Sequence, residues 1–184
     1  MIACYTETGM VDLSQFAPED YGLHLCSRAL SRINRFCGHT EHPYSVAQHA
    51  VVTSYLVPDW CRFIALHHDD AEAWIGDMPR NVKRNCKPFQ ILEMHVERAI
   101  WEALLGYQPD AHSFEFVKNA DNWALRLEQI NLQHRSEFGE HDVTFNATPH
   151  ADVSSALDTL QLILTPRDAQ QLYLARHNEL VGGL

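Results

Sequence analysis

Thirteen residues, A-L-H-H-D-D-A-E-A-W-I-G-D from Ala65 to Asp77, constrain this chain more than any other stretch. Glu72 follows His68 by four residues and Asp69 by three, so on a continuing helix it faces the same side as both. Asp77 comes directly after Gly76, where the chain can turn an acid back toward them. Ala71, Trp74 and Ile75 interleave with these groups and imply burial. Acids gathered that closely beside apolar residues repel one another unless a cation offsets the charge. His67 and Asp70 are rotated about 100° from the residues beside them, so they are expected to orient neighbouring groups by hydrogen bonds.

Two further residues complete a metal-ligand pattern. His49 lies nineteen residues before His68, and Asp121 sits near the head of a later helical pattern. The mixed set His49, His68, Asp69 and Asp121 suits one divalent transition metal: Mn, Co, Fe, Ni or Zn. Four protein ligands leave coordination positions for water and a phosphate oxygen, so a metal-dependent hydrolase is the first expectation.

With 184 residues, the chain is expected to form one domain, 1–184, with a core large enough to need no disulfide. The five cysteines form no C-x-x-C pair, which fits a reducing compartment. No basic-then-apolar leader and no apolar run of about 18 residues is present, so a soluble, cytoplasmic protein is expected. The net charge of -10 disfavours duplex nucleic acid but not a small anion. Arg80, Lys83, Arg84 and Lys87 crowd into one stretch just after the candidate ligands, as a phosphate-docking strip would.

The remaining pattern is helical. Residues 2–13 alternate around Thr8-Gly9 and suggest a small N-terminal β-hairpin. Leu23, Cys26, Leu30 and Ile33 form an apolar stripe. Ser45 to Gln48 reads as a capping box opening a helix with Val46, Ala50, Val51 and Leu56 in the core. Pro58 ends it, and Asp59 caps a helix carrying Cys61, Ile64, Ala65 and His68. Gly76 to Pro88 is expected to be an irregular loop with a short helical piece.

Beyond it, Ile91, Met94, His95, Ala99, Ala103 and Leu104 mark a helix stopped by Gly106, and Phe114 to Leu132 marks another. Residues 136–152 are polar and turn-rich. Two helices close the chain, around Ser154–Leu164 and from Thr165-Pro166. The fold class expected is all-α. The apolar stripes also allow a homo-oligomer, a dimer or a hexamer.

Taken together, these motifs resemble the HD-domain phosphohydrolase superfamily, a helical-bundle fold whose ligands are a His, an adjacent His-Asp and a distant Asp. His49, His68, Asp69 and Asp121 occupy those places here. S-V-A-Q-H at Ser45–His49, A-E-A-W-I-G-D-M-P at Ala71–Pro79 and K-N-A-D at Lys118–Asp121 are similar to the 5'-deoxynucleotidase branch, over about residues 24 to 135. The resemblance implies that Glu72 is the catalytic acid/base and that Asp77 helps hold the nucleotide. It also implies that Arg35-Phe36 meets phosphate and deoxyribose, with phenylalanine where the branch has tryptophan. His39 is a further candidate hydrogen-bond donor to the phosphate.

Some bacteriophage members of the branch release triphosphate from dATP. Lys83, Lys87 and Lys118 are candidate cations for such a tail, with Mg accompanying it. The expectation is thus nucleotide metabolism: removal of phosphate from deoxynucleotides, as a dNMP 5'-nucleotidase or a dNTP triphosphohydrolase. An HD phosphodiesterase or alarmone hydrolase and a non-catalytic nucleotide-binding HD protein are the alternatives.

Overall fold

In this computed structural model, residues 1–133 and 151–182 are described. Strands β1 (Ala3–Thr6) and β2 (Gly9–Asp12) pair antiparallel, with Thr6 opposite Gly9, as the alternation in residues 2–13 predicts. The helices among the described residues are α1 (Leu23–Leu30), α2 (Val46–Tyr55), α3 (Arg62–Leu66), α4 (Glu72–Ile75), α5 (Arg80–Lys83), α6 (Lys87–Leu105), α7 (Ala111–Leu132), α8 (Val153–Leu160) and α9 (Pro166–Val181), with short 3-10 turns between them. The described residues are therefore mostly helical, with one small two-stranded sheet. No described helix is long and apolar enough to cross a membrane.

Helix α2 is the axis of the packing. The Ser45 side chain caps it by accepting from the Gln48 N–H, which satisfies one of the free amides of the first turn. Gln48 does not complete the box. Its amide instead donates to the carbonyls of Thr159 and Leu162 and ties α2 to the end of α8. Every residue from Val46 to Ser54 is buried, because α1, α3, α7, α8 and α9 all pack on this one helix. A helix enclosed on all sides must be apolar nearly all round, and α2 is, apart from residues with a buried partner.

Two hydrophobic clusters meet across it. One joins Val46, Ala50 and Val51 to Leu30, Trp74, Val96, Ile100 and Tyr173. The other joins Val52 and Leu56 to Ala65, Ala120, Ala124, Ala156 and Leu160. Each fully buried leucine or valine contributes about 1.5–3 kcal/mol, so α2 is anchored well beyond what its ten residues would hold in isolation.

The helix expected to run on through His68 does not. Helix α3 stops at Leu66, and His67 to Ala71 wind as tight turns, with Asp70 N–H on the His67 carbonyl and Glu72 N–H on that of Asp69. Three-residue winding aligns side chains three apart. His67 and Asp70 therefore face one way, and Asp69 and Glu72 the other. On the inner side the Asp70 carboxylate, 1% exposed, accepts from Tyr21 (2.9 Å), Tyr173 (2.5 Å) and His67 (2.7 Å). His67 also lies 2.9 Å from Nδ1 of His177 on α9. His67 and Asp70 thus act as the expected orienting pair, holding the turn rather than pointing into the site.

The stripe expected on α6 is shifted. Ile91 and Met94 are exposed, and the buried residues are Val96, Ala99, Ile100 and Trp101, because α6 turns one face to the first cluster and Trp101 to Phe114 of α7. Helix α6 begins at Lys87, with Pro88 tolerated in its first turn, and α7 begins at Ala111 under an Asp110 cap. Helix α8 ends at Leu160 rather than 164. Most of the stretch 136–152 lies outside the described residues.

The inner turn network makes a stability prediction. Tyr173→Phe removes one hydroxyl from a buried carboxylate, and urea unfolding is expected to show a loss of about 1.5–3 kcal/mol. Asp70→Ala strands two phenols and an imidazole and is expected to cost more, about 3–5 kcal/mol by the same measurement.

Candidate metal centre

One turn into α2, His49 is fully buried, and both its ring nitrogens are addressed. Nδ1 lies 2.5 Å from Oε1 of Glu128 on α7. A carboxylate can only accept, so this nitrogen carries a hydrogen, and Nε2 is the atom that would meet a cation once its own proton is given up. Nε2 faces Oδ2 of Asp69 at 3.4 Å and Oδ1 of Asp121 at 3.3 Å. His68 repeats the arrangement: its Nδ1 donates to the Ala65 carbonyl at 2.8 Å, which again frees Nε2. That Nε2 is buried without a hydrogen-bond partner, although Asp69 Oδ2 stands 3.2 Å away.

The donor atoms of His49, His68 and Asp69 lie within 4.8 Å of one another, a spacing that suits one metal ion. Asp121 adjoins this trio through His49, while Arg80 Nη2 holds its other oxygen at 2.7 Å. The orphaned imidazole nitrogen and the N,N,O donor set both fit a divalent transition metal. Both histidine side chains are nearly sealed, whereas those of Asp69 and Asp121 keep 19% and 22% exposure, so the centre opens on its carboxylate side.

Electrostatics are severe here. Burial opposes ionisation of Asp69, yet His68, His49 and Arg35 outweigh it and hold the carboxyl far below its usual range. Asp121, also opposed by burial, is drawn down to about 2 by His49 and then His68. For His49, burial and Arg35 work against charge, and Glu128 and Asp121 overcome them to raise it to about 9.

Glu72 goes the other way. Burial first, then Asp69 and Asp77, push its carboxyl well up, and its Oε2 is buried with no partner. A carboxyl biased toward its neutral form beside the candidate ligands is placed to hold and pass a proton. Asp77, half-buried beyond Gly76 (φ 81°), is likewise raised by burial and by Asp69.

Arg35 arrives from a loop closed by the Asn34–Ser45 bridge and by its own N–H on the Tyr44 carbonyl. The guanidinium is buried, with Nε and Nη2 each 3.2 Å from Oε2 of Glu128 and Nη1 3.7 Å from Asp69. Phe36 places its ring 5.6 Å from that guanidinium, and both Phe36 and Cys37 hold left-handed φ angles of 56° and 51°. Such angles strain ordinary side chains.

Two of the four cations in the basic strip are engaged. Arg80 clamps Asp121 and Asn122, and Lys83 pairs with Glu93 at 2.5 Å. Lys87, Lys118 and His39 are exposed, and nothing draws their side chains into the centre.

Sequence reasoning missed Glu128 and Tyr44, and it set Arg80 in a phosphate-docking strip, whereas Arg80 holds Asp121 and Asn122. Glu128 had a readable signal, since it lies seven residues after Asp121, two helical turns along the same face of α7.

No known family model matches the chain. It is 36% identical over 153 residues to the uncharacterized protein YfdR of Escherichia coli (strain K12), a match spanning 83% of this chain and 80% of that protein. The chain belongs to the YfdR family. Membership in the YfdR family brings no named activity with it, so the chemistry has to be argued from the residues themselves.

Beside the centre, Glu97 on α6 carries a pH prediction. Burial and then Glu93 raise it to about 7 from the ordinary 4.5. Below about pH 4.5 it is protonated in both folded and unfolded states, and the cost of ionising it in the fold appears as pH rises through 7. Glu97→Gln is expected to match the metal-free wild type near pH 4 and to exceed its stability by roughly 1–2 kcal/mol at pH 8, read from thermal melts at both values.

Proposed function

We propose that this protein is an HD-type phosphohydrolase that uses one divalent transition metal (Co, Mn, Zn, Fe or Ni) to remove phosphate from deoxynucleotides. The observation that carries the reading is the trio of His49, His68 and Asp69, with both imidazole Nδ1 atoms engaged and both Nε2 atoms turned to one point. The order of the donors along the chain supports it: one His on the central helix, an adjacent His-Asp pair on the next turn and an Asp on a third helix.

Asp121 completes the set, and a cation held there supplies Lewis-acid polarisation of a phosphate oxygen. Glu72 carries the proton, because its orphaned, charge-averse carboxyl can deliver one to a leaving oxygen and receive one from water. Arg35 sets a fixed positive charge beside Asp69, where negative charge on phosphate oxygens needs neutralising. Phe36 beside that guanidinium offers a face to the sugar, and Asp77 a carboxylate to a hydroxyl.

The engagement of Arg80 and Lys83 with acids supports a short phosphate over a long tail. A triphosphate substrate, accompanied by Mg, would instead draw on Lys87 and Lys118.

The test is a product assay on metal-reconstituted protein with dNMPs, dNTPs and ribonucleotides. Inorganic phosphate from dNMPs is the expected product. Triphosphate from a dNTP would move the reading to a triphosphohydrolase, and absence of turnover on every substrate would sink it. Glu72→Gln is expected to lower kcat by about 10²–10⁴-fold while Mn2+ binding, followed by calorimetry, persists.

A further inference from the structure

We infer that Glu128 is a positioning residue that sets the metal-ready state of His49 and the place of Arg35 through its two separate oxygens. The inference rests on the metal-centre reading above and adds a residue that the sequence motifs do not contain.

The carboxylate is completely buried, and all its contacts are donors. Oε1 accepts from His49 Nδ1 at 2.5 Å and from the Tyr44 hydroxyl at 3.0 Å. Oε2 accepts from Arg35 Nε at 3.2 Å and forms an ion pair with Nη2 at the same distance. One oxygen therefore serves the candidate ligand and the other serves the cation. Burial disfavours its charge, but Arg35 and His49 more than restore it.

The contact with His49 is made at the nitrogen that matters. Engaging Nδ1 as a donor means that in the neutral, metal-binding ring Nε2 is the lone-pair atom, and Nε2 is the atom that faces Asp69 and Asp121. A carboxylate present only to neutralise Arg35 would not need to reach that nitrogen. Helix α7 thus supplies Asp121 from one turn, and two turns later a group that orients residues on α2 and on the Arg35 loop.

Glu128→Gln tests this with little change of volume. A glutamine offers one oxygen and one NH2, so whichever end takes the NH2 confronts a donor, either Arg35 or the His49–Tyr44 pair. Calorimetric titration of the metal-free full-length variant with Mn2+ is expected to show affinity about 10–100-fold weaker than wild type. In 15N-histidine-labelled wild type with Zn2+, a slowly exchanging Nδ1 proton is expected on His49, and in the variant it is weakened or absent.

A purely structural role predicts a lower Tm with unchanged Mn2+ affinity and an unchanged His49 signal, and that result overturns the inference. Should the variant not fold, the wild-type spectrum still decides, because a His49 without a protected Nδ1 proton overturns it as well. Wild-type protein that binds neither ion brings down the metal-centre reading and this inference together. Equal binding by wild type and variant removes the inference alone.

Discussion

Five carboxylates, Asp69, Glu72, Asp77, Asp121 and Glu128, converge around the buried imidazole of His49, and the compensation of that charge governs the rest of the structure. Arg35, Arg80, Lys83 and the two imidazoles provide positive charge, each placed by a different element. Burial first, and neighbouring acids after it, still hold the carboxyls of Glu72 and Asp77 raised. A divalent cation between His49, His68 and Asp69 would supply further positive charge, and it would do so where an imidazole nitrogen already lacks a partner.

Holding such a concentration of charge requires a rigid frame, and α2 provides it. Because five helices pack on it, His49 cannot swing away, and its ring is set by Glu128 rather than by solvent. The tight turn at His67–Ala71 does comparable work for His68 and Asp69. Tyr21, Tyr173 and His177 grip the inner side of that turn through Asp70 and His67, which leaves the other side to present Asp69 and Glu72. Hydrophobic packing and the buried polar network thus act together: one fixes the helix, the other the turn.

Much of the framework was legible because its signals are local. The helical stripes, the Ser45 cap, the stop at Gly106 and the Thr165-Pro166 start depend on residues a few positions apart, which neighbouring backbone geometry reads directly. The motif residues His49, His68, Asp69, Glu72 and Asp77 stood out because acids and histidines among apolar residues demand compensation. Less legible was which face of a helix would be covered. Ile91 and Met94 carry a convincing apolar period yet face outward, since α6 has other residues to bury against the first cluster. The winding at His67 was also unreadable, because Tyr21 and Tyr173, which favour it, lie about fifty and a hundred residues away along the chain.

By itself the sequence determined a helical protein with a His and acid centre, since periodicity and residue chemistry need no partner to be read. Tertiary structure alone decided which cations remain free to meet a ligand. Arg80 and Lys83 look alike as parts of a basic run, but α7 brings Asp121 to one and α6 brings Glu93 to the other. Arg35 looks ordinary in sequence and becomes the buried cation of the centre, because the Asn34–Ser45 bridge folds it against Glu128. The physical reason is that a charge acquires its role from the dielectric and the partners around it, and both are set by segments far away in the chain.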